Sequence, residues 1–171
     1  MIDHFQKKIN IKESIKLQFL IFYLIGITIT LFFPTLIFHL TGMECSGINT
    51  IKNHQKIDFT VKIFMYVFGA VFETVVFSTL MLNFLLFFSF LRERPILLLL
   101  ISPIPFALAH YTCWIYVLGA YFGGLILNFY YLNIYKKTKI TSKAIVYVSL
   151  LHFLINMTGF LIARYILPEY S

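Results

Sequence analysis

The chain has 171 residues, of which 60% are hydrophobic, 19% aromatic and only 12% charged, and its mean hydropathy is +0.85. A soluble domain of this size cannot hide so much apolar surface, and the apolar runs are continuous rather than alternating as in barrel strands, so composition predicts an all-α polytopic membrane bundle. The net charge of +7 is no nucleic-acid signal, because the basic residues lie at the ends of apolar runs and no aromatic–arginine patch stands outside them.

A helix needs about 20 apolar residues to cross roughly 30 Å of hydrocarbon. Residues 17–40 meet that length, with Pro34 as a kink near the outer end. The run is too long for a signal-peptide core and has no small-residue cleavage site, so it reads as a retained helix. A polar loop over 41–58 follows. The second span, 59–91, is longer than a bilayer requires, which predicts tilt or extension beyond it; Arg92, Glu93 and Arg94 close it. The third, 96–111, is short and carries Pro103 and Pro105, whose missing N–H groups break a helix. Such breaks are tolerated where they line a cavity enclosed by protein. The fourth, 114–135, bears Gly119, Gly123 and Gly124, which permit close backbone approach. After a basic loop with Lys136, Lys137, Lys139 and Lys143, the fifth covers 144–167.

The expectation is one membrane domain over residues 1–171 with about five transmembrane helices. Counting Lys and Arg with the N-terminus inside places ten on the inner side and four on the outer. The positive-inside rule therefore predicts a cytoplasmic N-terminus in the cell membrane. Cys45 and Cys113 then both fall outside, where an oxidising compartment would let them pair.

Four polar residues stand in spans that should tolerate none: Glu73, His110, His152 and Asn156. A charged group at such depth costs about 2.5–3.5 kcal/mol on insertion scales, so each needs a partner or a function. Glu73 is the sole acidic residue in an apolar span and can hold a proton or act as a base near neutral pH. Phe106 and His110 lie four apart on one helical face, and so do His152 and Asn156. Glu73 taken alone, and His152 with Asn156, are also readable as hydrogen bonds between helices, and His110 as an interfacial polar residue at a helix end. His4, His54 and His39 fall in polar segments or at a helix end. H-E-x-x-H, G-x-S-x-G and Walker sequences are absent, which excludes zincin, serine-hydrolase-elbow and P-loop chemistry.

The order of these elements resembles the CAAX protease and bacteriocin-processing family of intramembrane proteases, whose signatures are E-E-x-x-x-R, F-x-x-x-H and H-x-x-x-N. Phe106…His110 matches the second and His152…Asn156 the third. Glu73 matches the leading glutamate of the first, but Thr74 replaces its second glutamate and Ser78 its arginine. The likeness runs from Phe59 to about Gly159, within a protease-like core at 59–167. It implies an endopeptidase acting on a peptide or lipidated protein at the membrane. Glu73 and His110 would activate water, and His152 and Asn156 would stabilise the carbonyl oxyanion. It leaves the metal state open; Glu73, His110 and His152 would be the ligands of a divalent ion such as zinc. The departures at Thr74 and Ser78 keep a non-catalytic binding or bacteriocin-immunity role as the alternative. A proton relay is less supported, because a second acid and an inverted repeat are both missing. One tension stands: at 1.5 Å per residue Glu73 lies roughly 27 Å from the end of a 59–91 helix, and His152 only about 12 Å from residue 144.

Overall fold

In the computed structural model, residues 13–30, 32 and 58–165 are described. Pro34, Cys45 and the loop to residue 57 lie outside the described residues, as does the predicted Cys45 pairing; Cys113 itself is held in a disulfide. The described chain is helical throughout, with four helices long and apolar enough to cross a membrane and one shorter apolar segment.

Helix α1 spans Glu13–Thr30. Helix α2, Phe59–Leu86, starts at Asp58, whose Oδ1 accepts the Thr60 backbone N–H at 2.7 Å. That is an N-cap of the usual kind. The same bond, reinforced by Val61, holds the Asp58 carboxyl below its ordinary range. The helix is α-helical to Glu73 and again over Met81–Leu86; over Thr74–Leu80 between them its turns widen to π geometry, and the Met81 N–H reaches back five residues to the Val76 carbonyl. Such wide turns recur at functional sites, since the extra residue per turn re-aims the side chains that follow.

The polypeptide then folds into short pieces. They are α3 (Ser89–Arg92), α4 (Pro95–Ile101) and α5 (Ile104–Ala109). Pro95 and Pro105 occupy first-turn positions, where an N–H would have no helical partner anyway. The predicted third span is thus a broken pair, Pro95–Ala109, which even if straight would extend only about 22 Å. Helices α6 (Trp114–Thr138) and α7 (Thr141–Tyr165) form an antiparallel hairpin. Its tight turn places Lys139 at φ 56°, with its N–H donating to the Tyr135 carbonyl at 2.7 Å.

Helix α7 runs antiparallel to α2. The Phe160 ring near its end meets Phe59 and Tyr66 near the start of α2, with centroids 6.4 and 5.9 Å apart. Leu82, Leu127, Tyr130, Ile134, Val148 and Leu151 fill the centre between α2, α6 and α7. Helix α1 leans on this core through Phe22, 5.2 Å from the Tyr130 ring, and through a Tyr23–Thr158 hydroxyl pair at 2.8 Å. Gly26 permits the close approach there, since a Cβ would push the Ile155 side chain aside. The Lys137 ammonium donates to Ser14 Oγ at 2.7 Å, so the start of α1 and the end of α6 share one side, as the charge count predicts. Large apolar side chains such as Phe64, Phe68 and Phe87 point outward, a surface that only lipid accommodates at this density.

The predicted depth mismatch disappears with the true boundaries. Helix α2 ends at Leu86, not Leu91, and α7 begins at Thr141, not Ala144. Glu73 then lies about 20 Å from Leu86 and His152 about 17 Å from Thr141 at 1.5 Å per residue. The two residues share a level near the middle of the bundle.

Candidate active site

Three helical elements deliver the site. Glu73 is the last α-helical residue before the π turns of α2. His110 caps the C-terminus of α5 with non-helical dihedrals (φ −97°, ψ 22°), a position that exists because the third segment stops short of crossing. His152 lies in the middle of α7 and is buried.

The two imidazoles address different oxygens of one carboxylate. His110 Nε2 is 3.7 Å from Glu73 Oε1, and His152 Nε2 is 3.4 Å from Glu73 Oε2. The first separation is too long for a direct hydrogen bond and the second is at its limit. His110 Nδ1 lies 2.7 Å from the Phe106 carbonyl oxygen. A carbonyl only accepts, so Nδ1 carries a proton, and in the neutral ring Nε2 presents its lone pair toward Glu73. The side chains of Glu73 and His110 are 25% and 23% exposed against 7% for His152. One edge of the carboxylate therefore faces outward and the other inward.

Phe106 organises both histidines. Its ring lies 4.3 Å from that of His110, 5.8 Å from that of His152 and 5.5 Å from that of Phe77. The aromatic of the F-x-x-x-H pair thus acts twice, through its carbonyl on His110 and through its ring as a wall between the imidazoles.

Asn156 does not join this group. It is half-buried one turn beyond His152, makes no side-chain hydrogen bond among the described residues, and does not line the cavity beside Glu73. That cavity, with room for about one water, is lined by Glu73, Thr74, Ser78, Phe106, Asn128 and His152 among others. The amide it contains is Asn128, which is buried and donates from Nδ2 to Ser102 Oγ at 2.8 Å. Ser102 Oγ in turn donates to the Leu99 carbonyl at 3.1 Å. This chain ties α6 to the break between α4 and α5. Gly124, one turn before Asn128, completes the tie: a Cβ there would stand 2.8 Å from Pro103 Cβ and 3.0 Å from Phe106 Cδ1. The criterion that singles out Asn156, an amide inside an apolar span, applies equally to Asn128; only the four-residue spacing from His152 separates them in sequence.

Among the described residues no group of three His, Cys, Asp or Glu side chains is disposed to hold a metal ion. Glu73, His110 and His152 are included in that statement, since the imidazoles turn to opposite edges of the carboxylate rather than to a common point.

The chain that carries this carboxylate and these two histidines matches a known family in sequence. The Rce1-like family model, described as type II CAAX prenyl endopeptidase Rce1-like, matches residues 56–158. The chain belongs to the Rce1-like family. The match contains Glu73, His110, His152 and Asn156 and leaves out α1. Neither a curated protein nor a solved structure matches the chain. Rce1-like membership and the long apolar helices together make this a multi-pass membrane protein.

Proposed function

We propose that this protein is an intramembrane endopeptidase that hydrolyses a peptide bond in a peptide or lipidated protein presented at the membrane. The observation that carries the reading is the convergence of Glu73 with both motif histidines, at 3.4 and 3.7 Å, from three separate elements. At 3.7 Å apart, Glu73 Oε1 and His110 Nε2 can both bond one water that sits beside the line joining them. That water attacks the scissile carbonyl carbon, and its proton passes to Glu73, with His110 as the second acceptor. Collapse of the tetrahedral intermediate breaks the C–N bond, and the departing amine takes the proton back. In this reading the oxyanion falls to His152 and Asn156, on successive turns of one α7 face, where donors fixed in a low-dielectric site act most strongly; Asn156 stands outside the cavity beside Glu73 and would meet the substrate carbonyl one turn further along α7. We take the N-terminus as cytoplasmic and the membrane as the cell membrane, on the count of basic residues at each side.

The test is cleavage of a prenylated C-terminal peptide by purified protein in detergent or liposomes, wild type against Glu73→Ala. Cleavage lost in the variant supports the reading; equal cleavage by both sinks it. A second reading, a non-catalytic binding or immunity protein, is favoured by the hydroxyls of Thr74 and Ser78 in place of a carboxylate and a guanidinium. A cellular phenotype preserved in Glu73→Gln would select it.

A further inference from the structure

The inner edge of Glu73 carries a feature that this mechanism does not use. The small cavity beside it is walled by Phe77, Phe106, Gly124 and Leu127 and by the polar side chains of Glu73, Thr74, Ser78, Asn128 and His152. Three of those polar residues have a buried atom with no hydrogen-bond partner: Glu73 Oε2, Thr74 Oγ1 and His152 Nδ1. Thr74 is 1% exposed. An orphaned hydroxyl and an orphaned carboxylate oxygen each cost free energy when buried. Three such atoms on residues that line a space for about one water suit an internal water, which makes about three bonds.

We propose that this cavity is a binding site for a single water, hydrogen-bonded to Thr74 Oγ1 and Glu73 Oε2 with His152 Nδ1 as its third partner, and that Thr74 through it is a positioning residue for the carboxylate. A water has two protons to give and two lone pairs. It donates to Glu73 Oε2 and His152 Nδ1 and accepts from the Thr74 hydroxyl, so no polar atom of the group is left over. It is distinct from the attacking water, because His110 does not line this cavity and faces the other oxygen of Glu73. The site also accounts for the two departures in the first motif. Thr74 and Ser78 are both buried and both line the cavity, so neutral hydroxyls and a water stand where the resembling family carries a second carboxylate and an arginine. The two hydroxyls lie four residues apart within the π turns that begin at Thr74 and line the same cavity as Glu73.

The water site stands on geometry alone, whereas the positioning role rests on the protease reading. The experiment therefore has two arms on the full-length protein. In the first, a crystal structure at a resolution that shows bound waters is determined for wild type and for Thr74→Val, which keeps the shape and removes the hydroxyl. Expected is one ordered water within hydrogen-bond reach of Thr74 Oγ1 and Glu73 Oε2 in wild type and none in the variant. A dry cavity in wild type overturns the proposal. In the second arm, steady-state cleavage of a prenylated C-terminal peptide is measured. Thr74→Val should lower kcat by about tenfold or more with KM unchanged, and Thr74→Ser, which restores the hydroxyl, should recover most of it. Equal kcat in wild type and Thr74→Val overturns the positioning role. If wild type cleaves nothing, the protease reading fails by itself and the first arm still decides the water site. If Thr74→Val does not fold, the wild-type density decides the water site and Thr74→Ala, which also lacks the hydroxyl, decides the positioning role by the same kcat criterion.

Discussion

Gly124→Ala isolates the contact that holds the site together. The added Cβ would lie 2.8 Å from Pro103 Cβ and 3.5 Å from Pro103 Cα. Carbon atoms rest at about 3.5–4.0 Å, so the Pro103–Phe106 segment must retreat by about 1 Å. Pro103 is backbone-tethered and cannot swing aside as a flexible side chain would. The Phe106 carbonyl moves with it, and so does His110 Nδ1, 2.7 Å away. The 3.7 Å gap between His110 Nε2 and Glu73 Oε1 is then mis-set by a similar amount. A misplacement of about 1 Å in a catalytic pair can cost about 100-fold in rate. Stability should change far less: overpacking costs about 1–3 kcal/mol, while replacing a mid-helix glycine with alanine returns up to about 1 kcal/mol. Gly123→Ala is the internal control, since a Cβ at Gly123 meets nothing within 4 Å. Peptide-cleavage kinetics and thermal unfolding of both variants in the same detergent make the comparison. The reasoning is refuted if Gly124→Ala retains wild-type kcat, or if Gly123→Ala loses as much.

Asn128→Ala should destabilise the protein by about 1–3 kcal/mol, because it leaves the buried Ser102 hydroxyl without its donor; a melting temperature equal to wild type would count against that tie. Since the two histidines address different oxygens of Glu73, peptide cleavage should persist after dialysis against a chelator; loss of activity restored by zinc would instead assign a metal to the site. Asp58 titrates lower in the fold than its ordinary 3.8, so its contribution is present above that pH and is lost as pH falls through the depressed value. Unfolding of wild type and Asp58→Ala should therefore differ at pH 6 and converge in strong acid, and a difference that persists there would contradict the capping role.

How far the site was legible can be followed residue by residue. Glu73, His110 and His152 could be found because burial in lipid makes an ionisable side chain costly, and because fixed four-residue spacings put paired side chains on one face. Asn156 shares that signal yet stays outside the cavity. Spacing along a helix says which residues share a face and nothing about what the face packs against. Asn128 carries no charge and no motif spacing, so its partnership with Ser102 across two segments was out of reach. Thr74 and Ser78 read as losses in a motif; in the fold they are the polar lining of a cavity.

What the sequence determined by itself was the solvent and the secondary structure. Runs of apolar residues long enough to cross a bilayer must be helical there, because no water is available to satisfy an open backbone. The prolines at 103 and 105 broke the third segment for equally local reasons. The tertiary structure alone decided the depth and the direction of each polar group. The early end of α2 at Leu86, the early start of α7 at Thr141 and the π turns after Glu73 are small local changes. At 1.5 Å per residue they cut a mismatch of about 15 Å to about 3 Å and bring a carboxylate between two imidazoles. Those boundaries set how α2, α6 and α7 meet, and no window of sequence contains all three.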